Sequence, residues 1–215
     1  MVPNGWWRTL EGIMTESQKN QKGMTRSLLS ATLAGIMTLC MLSGVSAAPE
    51  PATVEGVTFS REVRAGDSTL TLRGFGLLRY MVFIKAYVAA FYLPERIRSE
   101  DALGDVPKHL EIEYFHDITA QDFAKATTSS ISRNLSLMTF QRLKPKIDEF
   151  NAFYRDVKAG DRYALTYVPG QGTTLLWNGQ PLGTVAGEDF AMGLFGIWIG
   201  PNPLDSDLKR ILLEG

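Results

Sequence analysis

From Leu77 to Leu93 the chain reads Leu-Leu-Arg-Tyr-Met-Val-Phe-Ile-Lys-Ala-Tyr-Val-Ala-Ala-Phe-Tyr-Leu, rich in aromatic and β-branched residues and nearly free of helix punctuation. Arg79, Lys85 and the shortness of each uninterrupted apolar stretch exclude a membrane helix. Polar residues do not alternate with apolar ones, so the segment reads as one long strand buried on both faces. Pro94 ends it.

The rest of the chain is placed around that strand. Thr53 to Phe59 alternates and reads as a strand, and Ala65-Gly-Asp-Ser68 is a turn before further extended chain at Thr69 to Leu72. Ser99 to Leu103 has the character of a single helical turn, and His109 to His116 alternates again. Thr119-Ala-Gln-Asp122 resembles a capping box opening a helix that runs to Asn134. A second helix carries Leu143, Ile147, Phe150 and Tyr154 at steps of three and four. Arg162 to Val168, Thr173 to Trp177 and Gln180 to Val185 are strands, the last two joined by the type I′ signal Asn178-Gly179. Asp189 to Trp198 and Asp205 to Leu213 are the closing helices. This order predicts an α+β fold, with helices covering one face of a largely antiparallel sheet.

The N-terminal part is read apart from the fold. Thr25 and Arg26 precede an apolar-to-small run from Leu28 to Val45, and Val45-Ser-Ala47 closes it with the small-x-small pattern of a signal-peptidase site. Residues 24–47 are therefore a signal peptide, and residues 1–23, which resemble no signal n-region, are an extension ahead of the natural start Met24. Cys40 follows Leu39 rather than a small residue, which argues against a lipidated cysteine. The mature domain, 48–215, can bury roughly 70% of its unfolded surface. It has no cysteine, so it rests on its apolar core without disulfides. Removing 1–47 leaves 18 basic against 21 acidic residues and no basic tract, which argues against nucleic acid as a partner. His109 and His116 are its only histidines, and without cysteine they make no metal-ligand spacing. No metal or cofactor is expected, and no stable membrane insertion once the signal is removed. The protein is placed in the periplasm or outside the cell, with its oligomeric state open.

Several segments occur in an order that resembles the chalcone isomerase-like family in its short secreted microbial form. They are Arg73-Gly-Phe-Gly-Leu-Leu-Arg79, Ile84-Lys-Ala-Tyr-Val-Ala-Ala-Phe-Tyr-Leu93, Pro107-Lys-His-Leu110 and Phe115-His-Asp-Ile118. Gly160-Asp161, Tyr167-Val-Pro-Gly170, Gly172-Thr173, Trp177-Asn-Gly179 and Phe195-Gly-Ile-Trp-Ile-Gly200 follow. The fold this resemblance implies is an open-faced β-sandwich, a large antiparallel sheet curled around a layer of helices. Members of that family either close a flavanone ring or hold fatty acids without chemistry, so the fold leaves the function open.

The resemblance makes Arg79 the expected anion partner, since a guanidinium can grip a carboxylate or phenolate bidentately. Tyr87 falls where the fatty-acid-binding members carry tyrosine. Arg79, Lys85 and Tyr87 differ by even steps, so one unbroken strand would turn all three to the same face. Arg73 has the same parity and is the alternative arginine. Of the plant helix pattern only Lys125 survives, with Asp122 and Ser129 at the other positions, and a further polar position falls at Ala191. Without those donors nothing stabilises charge on an enone oxygen, and no catalytic residue is expected. The leading reading is a carrier of a small apolar carboxylate or phenolic ligand, in the sheet–helix cleft. An intramolecular lyase and an envelope protein-interaction module are the alternatives.

Overall fold

The computed structural model describes residues 50–80 and 84–214. The expected extension and signal peptide, residues 1–47 with Cys40, lie outside the described residues. Seven strands form one antiparallel sheet in chain order: β3 (Glu62–Ala65), β4 (Ser68–Tyr80), β5 (Ile84–Leu93), β6 (Lys108–Tyr114), β7 (Arg162–Val168), β8 (Gly172–Trp177) and β9 (Gln180–Val185). A separate hairpin, β1 (Ala52–Val54) and β2 (Val57–Phe59), precedes them. Helices α1 (Ala120–Asn134) and α2 (Leu137–Asn151) are inserted between β6 and β7, and α3 (Glu188–Ile199) and α4 (Ser206–Glu214) follow β9. Among the described residues no helix is long and apolar enough to cross a membrane.

Side chains on the two sheet faces enter different cores. Tyr87, Ala89, Phe91 and Leu93 of β5 join Leu110, Ile112 and Tyr114 of β6 against helix residues such as Phe123, Ile131, Phe150 and Phe195. The alternate residues Val88, Ala90 and Tyr92 pack beneath Val57 and Phe59 of the β1–β2 hairpin. This is why β5 carries no polar alternation: both of its faces are covered.

Two strand expectations are corrected. Thr53 to Phe59 is a hairpin, because Glu55 and Gly56 both take positive φ, +51° and +83°, as a type I′ turn requires. Leu77 to Leu93 is parts of two neighbouring strands, with Tyr80 paired to Ile84. A single strand of that length would run roughly 55 Å. Both β4 and β5 are interior strands, so composition does not separate one long buried strand from two adjacent ones.

The helix starts follow their caps. Thr119 accepts from the backbone N–H of Asp122, and Ser136 from that of Thr139. α2 ends at Asn151, so Tyr154 lies beyond it rather than in its apolar stripe. The last helix docks on β4 at Gly74, where a Cβ would sit 1.8 Å from the Ile211 carbonyl oxygen.

Candidate functional site

The hairpin and one extra residue separate the three side chains that parity placed together. Leu78 pairs with Tyr87 and Arg79 with Lys85, so Ala86 has no partner on β4 and forms a β-bulge. The bulge reverses the facing of the preceding residue. Tyr87 is buried, 8% exposed, in the core between sheet and helices. Arg79 and Lys85 are 47% and 48% exposed and meet on the hairpin side, sharing the carboxylate of Glu55 at 3.2 and 2.5 Å. The hydrogen bond from Lys85, helped by Arg79, holds the Glu55 carboxyl below its usual range. Arg73 is a structural clamp: one guanidinium nitrogen donates to the carbonyls of Pro94, Glu95 and Ile97 at 2.8, 2.6 and 2.6 Å.

What surrounds Tyr87 is aromatic. Trp198 of α3 donates its indole N–H to the Tyr87 hydroxyl at 3.0 Å. Tyr114, directly across the β5–β6 ladder, presents its ring edge at 5.8 Å. Phe123 and Tyr163 stand at 5.1 and 6.1 Å from the Tyr114 ring. The Tyr154 hydroxyl is hydrogen-bonded to Thr127 of α1 at 2.8 Å, and that of Tyr163 exchanges two bonds with the Arg155 backbone. Burial pushes the phenols of Tyr87 and Tyr154 well up, so both stay neutral. Tyr87 accepts from Trp198 and retains its own O–H as a donor.

At the far end of the same layer stands a residue that sequence reasoning used only as a family marker. Lys108 opens β6 and is 1% exposed. Its ammonium donates to the Gly104 carbonyl at 2.7 Å and lies 4.7 Å from the centre of the Tyr167 ring and 5.6 Å from that of Phe195. Asp105, on the loop just before Lys108, accepts from the Tyr167 hydroxyl at 2.5 Å. Burial, opposed by Asp105 and Glu188, brings the Lys108 amine down to about 8. The even steps from Lys108 to Leu110, Ile112 and Tyr114 were the signal that could have placed it on the apolar face. Tyr114 was legible in the same way.

Other expected positions disperse. Lys125 is on the surface, 57% exposed, with Asp122 at 3.8 Å. Ala191 is buried in the core, Phe195 likewise, while Met192 faces outward. Asp189 accepts from the backbone N–H of Phe190 at the start of α3 and from Lys146, as a residue stabilising a helix N-terminus does. His109 lies on the hairpin side of the sheet, bonded to Thr166 at 2.8 Å. Among the described residues no group of three acidic, histidine or cysteine side chains could hold a metal ion.

A curled seven-stranded antiparallel sheet with two helices inserted after its fourth strand and two at its end defines an α+β protein with a covered apolar inner face. The chain belongs to the chalcone isomerase-like family, whose model matches residues 51–214. Among solved structures it is similar to a fatty-acid-binding protein of Arabidopsis thaliana, at 16% identity over 76% of this chain and 96% of that one, with a TM-score of 0.61. No curated protein sequence matches it.

Proposed function

We propose that the protein is an exported, non-catalytic carrier of a small apolar acid such as a fatty acid, held between the sheet and the helices. The observation that carries the reading is the make-up of the inner layer. Its walls are apolar and aromatic, and two buried donors face into it at opposite ends: Tyr87 beside Trp198, and Lys108 beside Tyr167. Apolar walls with a few fixed polar groups suit a ligand of this class. The Arabidopsis protein of the same fold, described as fatty-acid binding, supports the same choice. Export rests on the signal-like residues 24–47.

Native mass spectrometry with fatty acids of increasing chain length tests the carrier. Saturable one-to-one complexes are expected, and their absence at every chain length overturns the reading. N-terminal sequencing of the protein recovered from the periplasm or medium tests export, with Ala48 expected first.

A further inference from the structure

The acid group of such a ligand needs a counter-charge inside the layer, and the arginine expected to supply it is on the other side of the sheet. Arg79 and Lys85 share Glu55 there. Among the described residues, Lys108 is the one buried cation on the inner face. An ammonium has three donors. Among the described residues, that of Lys108 makes one hydrogen bond, to Gly104, and otherwise faces the rings of Tyr167 and Phe195. A buried cation in that state is stabilised by any anion that reaches it. The carboxylate of Asp105, on the same loop as Gly104, is turned to the Tyr167 hydroxyl.

The surroundings lead onward from that point into the apolar layer. The Phe195 ring lies 6.5 Å from that of Phe91, and Ala89 and Tyr87 continue the same face of β5. Tyr87 stands across from Tyr114, six residues beyond Lys108 and so about 20 Å away along the strand. On the other side Lys108 is covered by the loop carrying Gly104 and Asp105, both exposed, so only a short surface loop stands between the ammonium and solvent.

Resting on the carrier reading, we infer that Lys108 holds the ligand's carboxylate, and that the apolar chain runs from there along Phe195 and Phe91 towards Tyr87. The acid takes the ammonium donors that now face aromatic rings. Tyr87 and Trp198 mark the far end of the chain and do not meet the acid group.

The test compares decanoate with 1-decanol, equal in chain length and differing in charge, by calorimetry on the full chain, on Lys108→Met and on Tyr87→Phe. The wild type is expected to bind decanoate at least tenfold more tightly than decanol. Lys108→Met is expected to lower decanoate affinity to that of decanol while leaving decanol unchanged, and Tyr87→Phe to keep the preference. An acid preference that survives Lys108→Met, or is erased by Tyr87→Phe, overturns the assignment and leaves the carrier standing. Binding of neither ligand by the wild type overturns the carrier and the assignment together. A second measurement needs no variant. Decanoate affinity of the wild type is expected to fall on raising the pH from 8 to 10.5, as the ammonium facing Asp105, Glu188 and Tyr167 is lost, with decanol affinity flat. A flat decanoate profile overturns the assignment.

Discussion

Trp198 donates its indole N–H to the hydroxyl of Tyr87 at 3.0 Å, a hydrogen bond that joins the end of α3 to the start of β5 across 111 positions of sequence. It fixes both the height of the helix above the sheet and the orientation of a neutral phenol inside an aromatic cluster. Tyr87→Phe is expected to destabilise the fold by about 1–2 kcal/mol, since the indole donor loses a buried acceptor. Adding Trp198→Phe to that variant is expected to cost less than in the wild-type background. Urea unfolding of the two single variants and the double variant measures the coupling, and strict additivity would show that the bond contributes nothing.

Lys108 gives the protein an unusual alkaline behaviour. Its folded-state amine titrates at about 8 against 10.5 unfolded, so between these values the unfolded chain binds more protons than the native one. The contribution of Lys108 to stability therefore rises with pH across that window, by up to about 3 kcal/mol. Lys108→Met is expected to remove this rise and to melt no lower than the wild type at neutral pH, because a buried charge is replaced by a side chain of similar length. Thermal melts of both proteins from pH 7 to 10.5 check it.

His109 works at the acid end. Burial brings its imidazole down to about 4 from 6.5, so the native protein holds it neutral while the unfolded chain takes up a proton. Stability is fully present above pH 6.5 and is lost as the pH falls towards 4, by up to about 3 kcal/mol. Chemical denaturation between pH 7 and 4 should show that slope, and His109→Gln should lack it.

The Glu55 cluster is solvated, and exposed ion pairs contribute little. Arg79→Ala is accordingly expected to leave ligand affinity unchanged and to shift the melting temperature only slightly. A large loss of affinity in that variant would mean that the hairpin side of the sheet communicates with the inner layer.

Gly74 is required by close approach rather than by its dihedral angles. A methyl group there would overlap the Ile211 carbonyl, and this backbone of α4 has no rotamer with which to move aside. Gly74→Ala is expected to cost roughly 3 kcal/mol or more, read as a lower urea midpoint. An unchanged midpoint would show that α4 can shift without loss.

The sequence by itself determined the order of the elements from His109 onward and much of the local chemistry. Thr119 reads as a cap and is one, and Asn178-Gly179 reads as a type I′ turn and takes positive φ at both residues. These signals act within a few residues, through hydrogen bonds and steric limits that the local chain carries with it. The ordered segments from Arg73 to Gly200 were enough for the family and its α+β sheet. The site was less legible, because it depends on which face each side chain meets. One bulge at Ala86 and one reversal between Tyr80 and Ile84 put Arg79 and Lys85 on the hairpin side and Tyr87 on the helix side. A strand buried on both faces gives no polar alternation from which such a change of phase could be read. Only the tertiary structure brought Lys108 under Phe195 and Trp198 over Tyr87, since both contacts are made across the sheet–helix layer by residues 87 or more positions apart.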